Sequence, residues 1–410
     1  MSQNNEARVD LLSEEAFLHC IRCGLCLSVC PGYQETLNET DSPRGRVALV
    51  RARTEDGLRP SPNYADKFYR CLLCEACQNI CPSGAELGHI LLGARKDIVC
   101  HQLLPERLSR LDATIAANHN ISGEDNRSRI VWADNLPTPP SGLGKEQATI
   151  AYFVGCVASF FPRSYDVPRA FVQILEQVGA DYALLGGKEW CCGYPQFING
   201  DLTLAEDTIR HNADQVRRLG ARQVVFTCPS CYHIWKHVYP EVLGEDLGVE
   251  LLHSTELLAR LLPQLLDEGQ IVLSSLPLTV TYHDPCDLGR KSQVFDAPRQ
   301  ILQRIPGLSL IEMQDNRKNS HCCGGGGNLE SHNAALADQI ARRRVQQAAS
   351  TGAQVIVSAC QQCERTLSNA ARASKTRIRV MDINELVLKA LAPQTVEQTS
   401  RQVLEQRPKG

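Results

Sequence analysis

Eight cysteines fall into two runs of one spacing. Cys20, Cys23, Cys26 and Cys30 read C-x2-C-x2-C-x3-C and precede Pro31; Cys71, Cys74, Cys77 and Cys81 repeat the spacing and precede Pro82. Two residues between ligands let one tight turn present three thiolates to the corners of a cubane 4Fe–4S cluster, and in paired runs of this kind the fourth cysteine serves the other cluster. The spacing therefore assigns Cys20, Cys23, Cys26 and Cys81 to one cluster, and Cys71, Cys74, Cys77 and Cys30 to a second. Zinc also takes four thiolates, but its ligands usually come as two separated pairs.

Ten further cysteines form a duplicated pattern. One copy holds Cys156, the pair Cys191-Cys192 before Gly193, then Cys228-Pro-Ser-Cys231. The other holds Cys286, the pair Cys322-Cys323 before Gly324, then Cys360-Gln-Gln-Cys363. The surrounding text repeats as well: TIAYFVGC (149–156) parallels TVTYHDPC (279–286), and LGARQVVFTC (219–228) parallels TGAQVIVSAC (351–360). Such self-similarity marks an internal repeat. Five thiols exceed what one ordinary cubane needs. From spacing alone the choices are an unusual iron–sulfur centre using all five, a four-cysteine cluster with one spare, or zinc with a free thiol. Cys100 is left over and reads as a small buried apolar residue.

The elements that must hold these nests follow from pattern. AYFVGC, TYHDPC, VVFTC and VIVSAC are apolar, β-rich runs ending at a cysteine, as buried strands entering turns do. Helical segments lie between them: 168–179, 204–220 and 335–352 end at Gly179, Gly220 and Gly352, which read as helix C-caps. Alternating strands and helices imply a parallel sheet, with ligands gathered at the carboxyl ends of its strands. The fold expected is α/β, two tandem Rossmann-like cysteine-rich repeats behind an α-helical two-cluster ferredoxin-like domain. The boundaries expected are 1–103 for the two-cluster unit, 104–148 for a Pro/Gly-rich linker, 149–275 and 276–392 for the repeats, and 393–410 for a polar tail.

Composition narrows the function classes. The 410 residues carry 43 Lys and Arg against 46 Asp and Glu, a net charge of −3, which speaks against a polybasic nucleic-acid binder. Nineteen cysteines in a chain without a secretory signal or a long apolar run point to metal and redox chemistry in a reducing cytoplasm.

The smaller features are weighed the same way. No GxGxxG fingerprint occurs, so no flavin or nicotinamide site is expected in this chain. Gly193, Gly324 and Gly325, beside the cysteine pairs, are read as points of close backbone approach to a cofactor. Arg44 and Arg46 either neutralise cluster charge or dock a partner, or sit in a solvated turn. His283, Asp284 and His321 flank the second nest, and His283 and His321 are the candidate proton-handling catalytic residues, with turn and strand capping as the alternative. Arg342–Arg344 reads as a solvated helix face. Trp190 and Tyr194 surround the first cysteine pair. The first repeat is therefore expected to relay electrons and the second to face the acceptor or substrate.

CIRCGLCLSVCP, DSPRGRVALVRA and CLLCEACQNICPSG resemble the glycolate oxidase iron–sulfur subunit family. The two CCG repeats, with HDPCDLGR and CCGGGGN, resemble the cysteine-rich domains of heterodisulfide reductase. The resemblance implies two cubane clusters and two noncubane 4Fe–4S clusters, each noncubane cluster held by all five cysteines of a repeat. It also implies a flavoprotein (FAD) dehydrogenase partner, further electron-transfer subunits or a membrane quinone-reactive partner, and a place in the cytoplasm or at the inner face of the membrane through those partners. Two functions follow. One is an electron-transfer subunit relaying from a flavoprotein that oxidises a 2-hydroxy acid to a quinone or other carrier. The alternative is a catalytic subunit reducing a disulfide at a noncubane cluster.

Overall fold

The computed structural model describes residues 17–391, so the start of the chain and the polar tail expected at 393–410 lie outside the described residues. The N-terminal unit is helical. Helices Pro43–Thr54 and Pro62–Tyr69 each begin with Pro behind a serine N-cap: Ser42 Oγ accepts from Gly45 N, and Ser61 Oγ from Tyr64 N. Proline at the first helical position loses no hydrogen bond, because that N–H has no partner within the helix. Leu87–Cys100 is the longest helix of the unit, and its Ile90, Leu91, Ala94 and Ile98 are buried.

Residues 104–148 are more than a connector. They carry the helix Glu106–Asn118 and a 3-10 stretch, Asn126–Ala133, with Leu108, Ile115 and Trp132 buried. The Pro/Gly-rich signal at 136–147 marks only the end of this stretch.

Each repeat folds as a four-stranded parallel sheet. The first has β1 (Ile150–Phe153), β2 (Tyr182–Leu184), β3 (Gln223–Phe226) and β4 (Glu250–His253) in the order β2-β1-β3-β4. The second has β5 (Thr279–His283), β6 (Ser309–Leu310), β7 (Val355–Ser358) and β8 (Arg379–Asp382) in the order β6-β5-β7-β8. Ile150 lies opposite both Tyr182 and Gln223, and Val280 opposite both Leu310 and Val355. β1 and β7 are buried along their whole length. Helices cover both faces of such a sheet, so these strands read as continuous apolar runs rather than as alternation. The three helices expected in the repeats are present as Asp166–Gln177, Leu202–Arg218 and Ala334–Ala349. Gly179, Gly220 and Gly352 follow them with positive φ, as their reading as caps requires.

The three units are bound together by buried polar groups. Gln361 of the second repeat donates from Nε2 to Thr227 Oγ1 (2.6 Å) and Val154 O (3.1 Å) of the first. Arg95 of the N-terminal unit is fully buried. It donates to the carbonyls of Phe68 and Cys71 in its own unit, of Ile198 in the first repeat and of Gly327 in the second.

Asp112 adds a pH dependence to this packing. It is buried, takes one bond from Asn199 Nδ2 (2.9 Å), and leaves Oδ2 without a partner. Burial, reinforced by the nearby Asp201, pushes its carboxyl up to about 7, while the Asn199 bond opposes the rise. A carboxyl raised on folding contributes stability below its unfolded value and loses it as pH climbs through the folded value. Asp112→Asn removes that loss. The variant should gain on the unaltered chain between pH 5 and 8 in urea midpoint, and a gap that stays constant with pH would count against this account.

Candidate iron–sulfur centres and a shared cavity

The N-terminal cysteines converge on two small cavities of about 20 Å³ each. Cys20, Cys23, Cys26 and Cys81 line one; Cys30, Cys71, Cys74 and Cys77 line the other. The groupings are those expected from crossed ligation, and each offers four thiols. Arg44 lies at the first cavity and Arg46 at the second. Arg46 is buried and donates to Lys67 O, so it is no part of a solvated turn. A guanidinium beside each set offsets part of the charge of four thiolates, although Arg44 is itself paired with Glu39 at 2.6 Å. Cys23 is exposed, and Leu18, Ile21 and Leu25 stand exposed close to it in the chain.

The repeat cysteines sit where the fold directs them. Cys156 lies three residues beyond β1 and Cys228 two beyond β3; Cys286 and Cys360 stand in the same relation to β5 and β7. β1 and β3, like β5 and β7, are the central strands at which the strand order reverses, and a crevice opens outside their carboxyl ends. The pairs Cys191-Cys192 and Cys322-Cys323 arrive from the loops after β2 and β6.

Within the first nest Cys156 hydrogen-bonds Cys191, Cys191 meets Cys192, and Cys192 and Cys228 both meet Cys231. Within the second, Cys322 meets Cys286 and Cys323, and Cys363 meets Cys323 and Cys360. No disulfide joins any of them. Hydrogen bonds from neighbouring thiols push Cys231 and Cys363 well up and hold Cys192 and Cys323 down. Five thiols linked in a chain of contacts, all buried except the half-buried Cys286, with Gly325 N donating to Cys323 Sγ and Cys363 N to Cys360 Sγ (both 3.4 Å), form a donor set suited to a soft metal–sulfur centre.

The two nests open into one cavity of about 220 Å³. All five cysteines of the first repeat line it, with Cys286, Cys323, Cys360 and Cys363 of the second. Its remaining walls are largely apolar, including Ile121, Val157, Phe161 and Ile198. Cys322 is absent from that lining. It faces the other way and donates to Cys74 of the N-terminal unit. Adjacent cysteines thus serve different directions, and the second nest, not the first, abuts the two-cluster unit. The expected split into a relay repeat and a substrate-facing repeat gives way to two nests on one chamber. Tyr194, expected to shield a relay centre, lines the chamber and bonds Asp287 across the repeats (3.2 Å).

The glycines divide by role. Gly325 supplies the N–H to Cys323. A Cβ on Gly193 would meet Ala205 at 3.1 Å, and one on Gly324 would meet Ala337 O at 2.4 Å, so both mainly admit neighbouring helices. A Cβ on Gly327, at φ +64°, would stand 2.3 Å from Cys71 O. This run allows close backbone approach of the two-cluster unit more than approach to a cofactor.

His283 is buried behind Cys323 and Cys363, with donor atoms of all three within 4.8 Å of one another. His321 stands elsewhere: its Nε2 faces Asp315 Oδ2 at 3.5 Å, and it is not part of the chamber. Asp284 accepts from Arg299 (2.7 and 2.9 Å) and from Arg317 N, a structural knot. Cys100 is exposed rather than buried.

Sequence reasoning missed three arginines. Arg129, from the supposed linker, pairs with Glu189 (2.8 Å) and donates to Cys156 Sγ (3.1 Å); nothing local announces it. Arg290, in HDPCDLGR, donates to Cys74 O (2.7 Å) and faces Cys286 and Cys322. Arg344 is 1% exposed, not solvated. Its spacing with Leu336 and Ile340 puts it on the buried stripe of its helix, which was the legible signal.

Comparison with known proteins agrees with this geometry. The 4Fe–4S dicluster domain family matches residues 16–85, and the cysteine-rich CCG domain family matches 150–235 and 280–368. The D subunit of the dihydromethanophenazine:CoB–CoM heterodisulfide reductase of Methanosarcina barkeri is 31% identical, across 95% of this chain and 97% of its own. The EtfAB:quinone oxidoreductase of Syntrophomonas wolfei is 28% identical, across 91% of this chain and 58% of its own. A crystal structure of a hypothetical protein from Helicobacter pylori shares the fold over 86% of this chain and 67% of its own, with TM-score 0.57 at 11% identity. The two named enzymes are a heterodisulfide reductase subunit and a quinone oxidoreductase, not glycolate oxidase subunits. No helix among the described residues is long and apolar enough to cross a membrane. With a dicluster domain, two cysteine-rich domains and near full-length likeness to such a reductase component, the chain belongs to the family of the heterodisulfide reductase D subunits and related iron–sulfur oxidoreductases.

Proposed function

We propose that this chain is the component of a redox complex in which a disulfide is reduced, within the chamber between the two repeats. The observation that carries this is the chamber itself: nine cysteines from two separate nests line one largely apolar cavity. A substrate –S–S– group seated there meets one nest on each side, and reduction balances as one disulfide, two electrons and two protons giving two thiols.

Cys20, Cys23, Cys26 and Cys81 would hold one cubane cluster and Cys30, Cys71, Cys74 and Cys77 another, with the five cysteines of each repeat holding a noncubane 4Fe–4S cluster. Such clusters supply electrons one at a time. The residues set the order. The exposed face at Cys23 suits a redox partner, which we take to be a flavoprotein carrying FAD. Cys74 and Cys322 join the two-cluster unit to the second nest. The apolar walls exclude water, and Arg365, paired with Glu330 and lying over Phe161, closes one side. The strand order 2-1-3-4 is that of the first four strands of the flavodoxin-like doubly wound sheet, and on this ground we read each repeat as Rossmann-like in the broad sense of a doubly wound α/β unit.

Protein purified without oxygen should carry about sixteen irons per chain, four for each of four centres. With a reduced viologen as donor and a small aromatic disulfide as acceptor, two thiols should appear for each disulfide consumed, and Cys192→Ala and Cys323→Ala should each abolish it. Zinc in place of iron in the repeats, or full turnover in either variant, overturns the reading.

A further inference from the structure

The two nests are built alike in cysteine but not in what lies behind it. His283 ends β5, and the same position of β1 is Phe153, which packs on Phe226 and Trp235. His283 is 1% exposed, and Arg344 Nε donates to its Nδ1 at 3.1 Å. Arg344 is itself fixed by Asp315 O, Gln347 Oε1 and Ser320 Oγ, each at 3.0 Å. A guanidinium has hydrogens to give and no lone pair to accept with, so Nδ1 must be the lone-pair nitrogen and Nε2 must carry the ring hydrogen. Nε2 has no hydrogen-bond partner among the described residues. What lies nearest on that side is sulfur: the ring nitrogen and the sulfurs of Cys323 and Cys363 are all within 4.8 Å of one another, and Cys323 interacts with the ring.

We propose that His283 is a positioning residue of the second nest, its tautomer set by Arg344, and that its Nε2–H donates to Cys323 and holds the reduction potential of that centre above the value five thiolates alone would give. The proposal rests on the second nest holding an iron–sulfur centre. Donation to a ligand sulfur disperses negative charge, so it favours the reduced form, which carries more of it. The first nest has no counterpart ring. Its added donor, Arg129 on Cys156, has its charge matched by Glu189. Around the second nest Arg290 and Arg344 form no close ion pair among the described residues, although Asp284 and Asp315 stand near enough to Arg344 to act on its charge. The centre nearest the two-cluster unit is thereby the easier one to reduce, which draws electrons into the chamber.

The test is an anaerobic potentiometric titration followed by electron paramagnetic resonance on the full chain, with Cys323→Ala identifying the second-nest signal. His283→Phe, which installs the residue the first repeat already carries, should shift that midpoint to more negative potential and leave the others in place. His283→Gln, which keeps an N–H, should recover part of the shift. Fe–S stretching bands of the unaltered protein should move in D2O, and those of His283→Phe should lose that sensitivity. An iron-loaded second nest whose midpoint ignores His283→Phe overturns the proposal. So does a nitrogen coupling showing His283 bonded directly to iron. Absence of iron from the second nest of the unaltered protein overturns instead the cluster reading on which the proposal rests.

Discussion

Cys30→Ser should disconnect the chamber from its electron supply. Cys30 follows Cys26 by four residues, yet it lines the cavity of Cys71, Cys74 and Cys77, and Cys74 is the residue that meets Cys322 of the second nest. Serine offers a harder oxygen donor that a soft iron–sulfur centre holds less well. The variant should lose about four irons and one cubane signal. It should keep the signal of the Cys20, Cys23, Cys26 and Cys81 centre, and turnover driven by a protein partner should stop. Cys81→Ser should do the converse, damaging the exposed centre and sparing the inner one. Iron analysis with paramagnetic resonance on both variants decides the wiring, and loss of the Cys20 centre in Cys30→Ser would refute the crossed arrangement.

Arg95→Leu should be the most destabilising single change outside the cysteines. Arg95 is fully buried, lies over the Tyr69 ring at 4.7 Å, and pairs with no carboxylate among the described residues. Its five bonds reach four carbonyls in three units. Leucine fills part of the volume and leaves the carbonyls of Cys71, Ile198 and Gly327 without that donor, while Phe68 O keeps its bond from Cys71 N. Each orphaned acceptor costs roughly 1–3 kcal/mol, and relaxation recovers some of it, so a loss of about 3–5 kcal/mol is expected. Arg95→Lys should recover little, because an ammonium lacks the planar fork that spans divergent acceptors. The first urea transition of anaerobic protein is the measurement; a change below about 1 kcal/mol would mean the carbonyls find other donors.

Much of the site was legible in the chain itself. Ligand sets within a run are local: two residues between cysteines dictate a turn. The positions of Cys156, Cys228, Cys286 and Cys360 were equally readable, because apolar β-rich runs that end at a cysteine deliver it to the end of a strand. Gly179, Gly220 and Gly352 marked helix ends for a reason of backbone conformation alone. Where reading failed, a local cue concealed a distant partner. RRR at 342–344 looked solvated because three consecutive charges usually are, yet the helical period carries Arg344 onto the buried stripe beside His283. The stretch 104–148 looked like a linker because its end is rich in Pro and Gly, yet Arg129 turns inward to Cys156 and Glu189.

By itself the sequence determined the donors: eighteen cysteines, their four groupings, the duplication, and the parallel α/β units that bring each nest to a strand end. Spacing and period are short-range properties, and neighbours in the chain suffice to express them. Tertiary structure alone decided that the nests share one chamber, that Cys322 turns to Cys74 while Cys323 faces the chamber, and that His283 stands behind one nest and Phe153 at the same strand position in the other repeat. These contacts join residues as far apart as Cys74 and Cys322. They follow from how whole sheets and helices pack, through such bonds as those of Arg95 and Gln361, and no local pattern carries that information.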